Sequence, residues 1–187
     1  MLPKHWIENI NLGSERMNKL IDSLLLLTKY DKSDHEIEQY HVNGSDVVQN
    51  VFRSMEAKAK EKGIIYKEKI RDNYYFYINE QALMHLSMIL IDNAVKYTPS
   101  GETVLVSLFE HKHKTVLRVS NSGNPIPIEK TPYIFDRFYR CDDSRNNQIS
   151  GYGLGLSIAK EIAGTIRSEI RVVVTSNDIN HFEVIFG

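Results

Sequence analysis

The stretch LIDNAVKYTP at residues 90–99 decides the fold, because it places polar side chains at one end of an otherwise apolar helix. The surrounding residues 80–97 predict an α-helix, which a proline-containing turn ends. Asn93, Lys96 and Tyr97 are three and four residues apart, so a helix presents them on one face. An isolated Asn on such a helix is usually a solvated edge. Here an amide, an ammonium and an aromatic edge together suit a magnesium-bound phosphate chain beside a base.

Two other stretches extend this pattern along the chain. NSGNPIP at 121–127 follows a predicted strand, and GYGLGL at 151–156 runs directly into a predicted helix. Glycines let a backbone approach phosphates closely, and free amides at a helix start bind anions. Either stretch alone is more often an ordinary turn. The second matches neither the dinucleotide fingerprint nor the P-loop, because no Gly-Lys-Ser/Thr sequence ends it.

In their order and spacing, these stretches, with IFDRFYR at 134–140 between the last two, resemble the ATP-binding domain of sensor histidine kinases. The resemblance runs from about residue 5 to the C-terminus. It implies an α+β fold of the GHKL (Bergerat) type, which is a two-layer sandwich. In this fold a mixed β-sheet is covered on one face by about three helices. The cofactors implied are ATP and Mg²⁺.

The resemblance also implies roles for individual residues. Asn93 is expected to ligate Mg²⁺, and Lys96 to approach phosphate oxygens, which makes these two the catalytic candidates. Tyr97 is expected to pack beside the adenine. Asn121 is expected to accept a hydrogen bond from the adenine amino group, and Ile126 to line the base pocket.

The remaining expected nucleotide contacts lie in the glycine-containing stretches and in a polar segment that forms a lid over ATP in the family. Guanidinium groups suit phosphate bidentately, which makes the two lid arginines candidates, although a solvated loop is an equally good interpretation of either one. These positions are Gly123, Arg140, Arg145, Gly151, Gly153, Leu154, Gly155 and Leu156.

Three residues depart from the family's pattern. Ile89 stands where the kinases usually carry a second Asn, one turn before Asn93. The related gyrase, Hsp90 and MutL ATPases place a general-base Glu at that turn, and an isoleucine cannot accept a proton. Asn121 replaces the family's usual Asp, and Pro125 stands where glycine is frequent. Because Ile89 cannot serve as that general base, ATP hydrolysis by the ATPase route is disfavoured.

Residues 5–30 predict one long amphipathic helix. Its apolar side chains follow a three-and-four spacing, which is typical of a helix that packs against a partner. They are Ile7, Ile10, Met17, Leu20, Ile21, Leu24, Leu27 and Tyr30. The stretch resembles the second helix of the dimerisation and phosphoacceptor hairpin of the kinases. We place a domain boundary near residue 32, which gives a hairpin segment at 1–32 and an ATP-binding domain at 33–187.

Propensity and turn signals predict the remaining elements. A helix capped by Ser45 or Asp46 is expected to run to about Lys62, where Gly63 ends it. A third helix is expected from about Gly155. Strands are expected at 39–42, 64–70, 74–78, 103–110, 115–120, 169–175 and 182–186.

Composition limits the classes of function. The chain has 187 residues, 42% of them hydrophobic and 25% charged, which is typical of a globular protein. A formal net charge of -1 does not indicate nucleic acid as a partner. The single cysteine, Cys141, fits a reducing cytoplasm. Apolar runs such as LLLL at residues 24–27 are far too short to cross a bilayer. We expect a cytoplasmic fragment of a protein from the bacterial cell membrane.

The phosphoacceptor motif of the family, His-Glu-x-x-(Thr or Asn)-Pro, does not occur in the sequence. His5 is followed by WIEN, with no proline at the required spacing. The chain is therefore expected to bind ATP while lacking a histidine to phosphorylate.

The leading hypothesis is the ATP-binding catalytic domain of a bacterial sensor histidine kinase, a protein-histidine kinase of a two-component system. Its expected partners are ATP, the phosphoacceptor hairpin of the same protein, a response regulator, and a second copy of the parent protein in a homodimer. Ile89, Asn121 and Pro125 motivate an alternative, a degenerate nucleotide-sensing or dimerisation module without kinase activity. A GHKL-type ATPase is the less favoured third possibility.

Overall fold

The computed structural model describes residues 4–30, 38–141, 151–175 and 178–187. The helices found there are α1 (Lys4–Tyr30), α2 (Gly44–Glu61), α3 (Glu80–Tyr97) and α4 (Gly155–Thr165), with a 3₁₀ turn at Ile128–Lys130. The strands are β1 (Tyr40–Asn43), β2 (Ile65–Ile70), β3 (Tyr75–Ile78), β4 (Thr103–His111), β5 (Lys114–Ser122), β6 (Glu169–Val174) and β7 (Ile179–Ile185). The predicted order and types of elements are confirmed, and α3 has the predicted bounds.

A mixed sheet of five strands forms one layer, in the order β2-β4-β5-β7-β6. β2 and β4 pair in parallel, and the other neighbours pair antiparallel. β1 and β3 form a separate antiparallel pair. Alternate side chains of β4, namely Val104, Val106 and Leu108, are fully buried, so this side of the sheet is the face that the helices cover.

The helices α2, α3 and α4 form the second layer. α3 contacts α2, α4 and the strands β4 and β5, which makes it the central element of the core. The buried residues of α2 are spaced three and four apart, as an amphipathic helix requires; they include Val47, Val48, Val51, Met55 and Ala59. The predicted α+β sandwich, with three helices on one face of a mixed sheet, is confirmed.

α1 packs against α4, and side-chain contacts connect its last turn to α3 and α4. Tyr30 is buried, and its hydroxyl lies 3.0 Å from Nδ1 of His85 on α3. Lys29 Nζ donates to Oε1 of Gln81 at 3.0 Å, and Thr165 Oγ1 on α4 donates to the Tyr30 carbonyl at 3.4 Å. Burial of a tyrosine with its hydroxyl satisfied fixes both the position and the rotation of the end of the helix.

Most of the predicted apolar stripe of α1 is exposed along the rest of the helix. Ile10, Met17, Ile21 and Leu24 are all exposed, whereas Leu27 is buried. None of the helices in the described parts of the chain is apolar over a length sufficient to cross a membrane.

The prediction that Ser45 or Asp46 caps α2 is wrong. The helix begins at Gly44 and Asn43 is its N-cap residue, without a side-chain capping bond. Ser45 instead donates from Oγ to the Arg71 carbonyl at 2.7 Å and accepts from the Tyr74 amide at 3.0 Å. A tertiary bond to the turn before β3 therefore replaces the local cap. Gly63, with φ of 71°, follows the helix end as predicted.

The uncovered face of the sheet carries a buried carboxylate, that of Glu183 on β7. Arg118 Nε on β5 donates to its Oε1 at 2.7 Å, and Arg171 Nε on β6 donates to its Oε2 at 2.8 Å. The Glu183 side chain is 4% exposed, whereas both guanidinium groups are partly exposed. Burial alone raises the pKa of Glu183, but the two arginines outweigh burial and hold this pKa below its ordinary value.

We expect the Glu183→Gln variant to lose about 1.5–3 kcal/mol in the free energy of unfolding at pH 7, because both charged hydrogen-bond pairs are weakened. A carboxyl whose pKa is lowered by folding stabilises the protein above its unfolded pKa of about 4.3 and loses this effect as the pH falls through the folded value. Urea unfolding at pH 7 and pH 3 should therefore show a smaller difference from wild type at pH 3.

The Glu169→Gln variant is the matched control, since Glu169 is an exposed residue of β6. Its free energy of unfolding should change by no more than about 0.5 kcal/mol. Equal losses in the two variants, or a Glu183→Gln loss that is independent of pH, would contradict the stabilising role of the carboxylate.

Candidate functional site

The C-terminal half of α3 presents the predicted polar face. Ala94 and Val95 are fully buried, whereas Asn93, Lys96 and Tyr97 are only partly buried, so α3 turns these three side chains away from the core. Lys96 Nζ lies 5.0 Å from the centroid of the Tyr97 ring. The helical spacing thus brings the three predicted residues together on one edge of the helix.

The glycine-rich stretch lies against this edge of α3. A methyl group added at Gly151 would lie 2.2 Å from Lys96 Nζ. One added at Gly155 would lie 3.6 Å from Cγ2 of Ile89. Ile89, Lys96 and the start of α4 therefore border the same site. The departure at Ile89 falls at the site itself and replaces a polar group with an apolar one.

The start of α4 has the features of an anion site. Leu154 is the N-cap residue, and no side chain of the described residues caps the helix. The amides of the first turn are then available to a phosphate group. The side chain of Leu154 lies in the core, at 2% exposure, and Leu156 packs against the core. These two predicted contacts would thus be made through their backbone.

Two hydrogen bonds join the segment after residue 134 to the glycine-rich stretch. The Phe138 amide donates to the Gly153 carbonyl at 2.9 Å, and Arg140 donates to the Gly151 carbonyl at 2.8 Å. Gly153 has φ of 70°, and a methyl group there would lie 2.7 Å from backbone atoms of Phe138 and Tyr139. Arg140 therefore lies at the site. Arg145 lies outside the described residues, and its predicted phosphate contact stays a prediction.

Basic groups concentrate at this end of the site. Burial lowers the pKa of Lys96; Asp92 opposes this effect, and Arg140 and Lys58 add to it through their charge. Asp92 itself forms an ion pair with Lys58. Lys62 Nζ donates to the carbonyls of Val95, at 2.9 Å, and Lys96, at the end of α3. The positive charge in the site exceeds what Asp92 offsets, so the site favours an anionic ligand.

The other end of the site lies where β5 ends. The expectation that β5 stops near residue 120 is wrong, because the strand continues to Ser122. Asn121 therefore lies within the strand, 4% exposed, opposite Val104 and Asn180. Gly123, with φ of 112°, approaches the Pro99 ring so closely that an added methyl group would lie 2.6 Å from Cδ. The turn after α3 therefore contacts the loop that follows β5, so α3 and its turn border both ends of the site.

Asn180 is a residue of this site that the sequence reasoning missed. Its Oδ1 accepts from the Ile126 amide at 2.9 Å, and its Nδ2 donates to the Asn124 carbonyl at 3.0 Å. Ile126 packs against the core. Asn180 therefore holds the loop that follows β5. The sequence analysis places the last strand at 182–186, whereas β7 begins at Ile179, so Asn180 lay outside the predicted strand and no local signal identified its partner.

The comparisons with known proteins agree with this geometry. The family described as "Histidine kinase-, DNA gyrase B-, and HSP90-like ATPase" matches residues 78–186. The chain belongs to this family. The match includes α3, the loop after β5 and the glycine-rich stretch, so the site lies within the part of the chain that defines the family.

Two relatives narrow the comparison to sensor kinases. Sensor histidine kinase CusS of Escherichia coli O6:H1 is 35% identical over 162 residues, which are 87% of this chain and 33% of CusS. Signal transduction histidine-protein kinase ArlS of Staphylococcus aureus (strain USA300) is 31% identical over 185 residues, which are 96% of this chain and 40% of ArlS. The chain spans between a third and two fifths of the length of these relatives.

Solved structures of histidine kinases share the fold. Full-length ShkA in complex with AMPPNP has a TM-score of 0.82 at 18% identity, over 98% of this chain and 38% of that chain. ThkA in complex with the response regulator protein TrrA has a TM-score of 0.77 at 21% identity, over 99% of this chain and 52% of that chain. The predicted resemblance is confirmed: this is an ATP-binding catalytic domain of the sensor histidine kinase type.

We expect the Gly153→Ala variant to lose about 2 kcal/mol or more in the free energy of unfolding. A positive φ is unfavourable for alanine, and the added methyl group would lie 2.7 Å from backbone atoms of Phe138 and Tyr139, so the backbone would have to shift. Urea unfolding measures the loss.

Gly164→Ala is the matched control, because nothing lies within 4 Å of the added methyl group on α4. This variant should be unchanged or gain up to about 1 kcal/mol through helix propensity. A Gly153→Ala variant as stable as Gly164→Ala would show that the close backbone approach is not required.

Proposed function

We propose that the chain binds Mg-ATP between α3 and the start of α4 and transfers the γ-phosphate to a histidine on the other helix of the hairpin to which α1 would belong. One observation carries the proposal, namely that Lys96 lies beside Gly151 at the uncapped start of α4. An ammonium and free helix amides then converge on the place where a phosphate chain would lie. The family membership supports ATP as the ligand.

The residues fit the roles that this chemistry needs. Asn93 is partly exposed next to Lys96, and its amide oxygen is a hard ligand of the kind that Mg²⁺ prefers. Bound Mg²⁺ would offset charge on the β- and γ-phosphates. Lys96 and Arg140 would bind phosphate oxygens. At the other end of the site, Asn121 would accept from the adenine amino group, between Tyr97 and Ile126.

The transfer itself would require mainly positioning. A neutral imidazole nitrogen attacks the γ-phosphorus in line as the bond to the β–γ bridging oxygen breaks. ADP leaves with that electron pair, and the proton on the other imidazole nitrogen passes to water. Lys96 and Arg140 would stabilise charge on the phosphoryl oxygens during this step.

α1 gives a reason to propose the remaining partners. We assign residues 1–32 to the second helix of the dimerisation hairpin and residues 33–187 to the ATP-binding domain. Ile10, Met17 and Ile21 form an exposed apolar stripe on α1, which the first hairpin helix and a second copy of the parent protein would cover. The parent protein would lie in the bacterial cell membrane and pass its phosphate to a response regulator. The ThkA–TrrA complex supports that type of partner.

A degenerate binding module is the second candidate, since Ile89 borders Gly155 at the site. An apolar side chain there removes one contact to water or ligand, worth on the order of 1 kcal/mol. The GHKL-type ATPase alternative lacks a general base at the same position. Ile89 thus weakens the case for hydrolysis more than the case for transfer.

Thermal unfolding with about 1 mM ATP, with and without Mg²⁺, tests nucleotide binding. For a dissociation constant of roughly 10 μM, linkage predicts about 2.7 kcal/mol of stabilisation. That corresponds to a rise of roughly 5–10 °C in the unfolding temperature. A rise that depends on Mg²⁺ supports the kinase proposal, and no rise under either condition favours the degenerate module.

The Asn93→Ala variant should lose the part of this rise that depends on Mg²⁺ and should not transfer phosphate to an added hairpin. Its unfolding temperature without nucleotide should remain close to that of the wild type, because Asn93 is only partly buried. Asn50→Ala, at an exposed position of α2, is the matched control and should keep both activities. Normal phosphate transfer by Asn93→Ala would refute the assigned role.

The Ile89→Asn variant distinguishes the two candidate functions. If the site is a working kinase site, restoring a polar group should strengthen Mg-ATP binding by about fivefold, which corresponds to roughly 1 kcal/mol. Titration calorimetry measures the change. A variant that gains binding where the wild type has none would establish the degenerate module instead.

A further inference from the structure

Asn121 is almost fully buried on the face of the sheet that the helices cover. It lies opposite Val104 in the register of β5 against β4, and directly opposed residues of an antiparallel pair direct their side chains to the same face. Val104 is fully buried under the helices, and Asn121 is 4% exposed. The amide of Asn121 is therefore directed toward the helix layer, at the end of the site that the proposed function gives to the base.

This buried amide has no hydrogen-bond partner among the described residues. Burial of an amide without a partner is costly, so native proteins rarely leave one in that state. Asn180, opposite Asn121 on β7, uses its Oδ1 for the Ile126 amide and its Nδ2 for the Asn124 carbonyl. The Asn180 amide is thus committed to the loop after β5, which leaves the Asn121 amide to a ligand.

The polar side chains on either side of Asn121 in β5 are also engaged elsewhere. Ser120 Oγ lies 2.7 Å from Nδ1 of His181, and Ser122 Oγ donates to Oε2 of Glu102 at 2.7 Å. Alternation along the strand directs both serines to the opposite, uncovered face of the sheet. Neither serine therefore fixes which end of the Asn121 amide, oxygen or nitrogen, faces the site.

A carboxamide offers a ligand two different groups. Its oxygen accepts hydrogen bonds, its nitrogen donates them, and a half-turn about χ2 exchanges the two positions with almost no change in shape. Purines differ in the same sense at position 6, where adenine carries a donating amino group and hypoxanthine and guanine carry an accepting oxygen. Because no bond within the described residues fixes the rotation of Asn121, its amide matches either kind of purine.

We propose that the site accepts 6-oxopurine nucleoside triphosphates, such as ITP, in addition to ATP, and that Asn121 provides this breadth. With ATP, Asn121 Oδ1 accepts from the 6-amino group. With ITP, the rotated amide donates from Nδ2 to the 6-oxo group. The inference rests on the proposed function, which places the base beside Asn121. An ionised carboxylate at this position only accepts hydrogen bonds, so it would favour the 6-amino purine.

Titration calorimetry of the full chain with Mg-ATP and Mg-ITP tests the proposal. ITP is the probe because it carries the 6-oxo group without the additional 2-amino group of guanine. The wild type should bind ITP with a Kd no more than about threefold above that for ATP, since a hydrogen bond between neutral groups matches each base. In Asn121→Asp at pH 8, this ratio should rise at least about fivefold, because the carboxylate faces the 6-oxo oxygen with no hydrogen between them.

Asn50→Asp is the matched control, because it makes the same substitution at an exposed position of α2. It should leave the ratio of the two dissociation constants unchanged. Asn121→Leu removes both possible hydrogen bonds without adding a charge, so it should weaken ATP and ITP binding by equal factors. A urea titration of each variant measures its stability, and the ratio within one variant does not depend on that stability.

Three results would overturn the breadth assigned to Asn121 while ATP binding by the wild type stands. They are a wild-type ratio above about threefold, a ratio in Asn121→Asp no greater than in Asn50→Asp, and a loss in Asn121→Leu confined to ATP. The last of these requires no charged variant to fold. No binding of ATP by the wild type would instead overturn the placement of the nucleotide itself.

Discussion

The packing of α3 between the sheet and its two neighbouring helices is the constraint on which the rest of the structure depends. Leu83, Leu86, Leu90, Ile91 and Ala94 are fully buried, so most of the circumference of the helix is used by the core. Only one narrow edge remains for polar side chains. The same packing sets the distance from this edge to α4 and to the end of β5, so any change that shifts α3 moves both ends of the site together.

The charged residues of the site oppose stability in the absence of a ligand. Lys96 is partly buried near Arg140 and Lys58, and Asp92 supplies the opposing carboxylate. The folded protein therefore carries electrostatic repulsion that an unfolded chain would relieve. A bound polyphosphate would attract the same basic groups that repel one another in the free protein. Part of the binding free energy would then come from the relief of this repulsion rather than from new hydrogen bonds. Such a site trades stability for affinity.

Local signals account for what the sequence predicted. The bounds of α3 follow from a helical pattern with Pro99 beyond its end, and the glycines before α4 mark its start. Tertiary contacts account for what it missed. Ser45 bonds to a distant turn, and Asn180 reaches the loop after β5 only because of the register of β7 against β5. The orientation of α1 depends in the same way on the burial of Tyr30, which the periodicity alone could not predict.

The close approach at the start of α2 has a consequence for sequence variation. A methyl group at Gly44 would lie 2.2 Å from the ring of Phe76, which in turn packs against Phe186 with ring centroids 4.9 Å apart. The obstacle at Gly44 is a side chain, so a smaller residue at 76 could make room for a larger one at 44. Positions 44 and 76 should therefore change as a pair among functional variants, and a selection from a library randomised at both should recover correlated sizes.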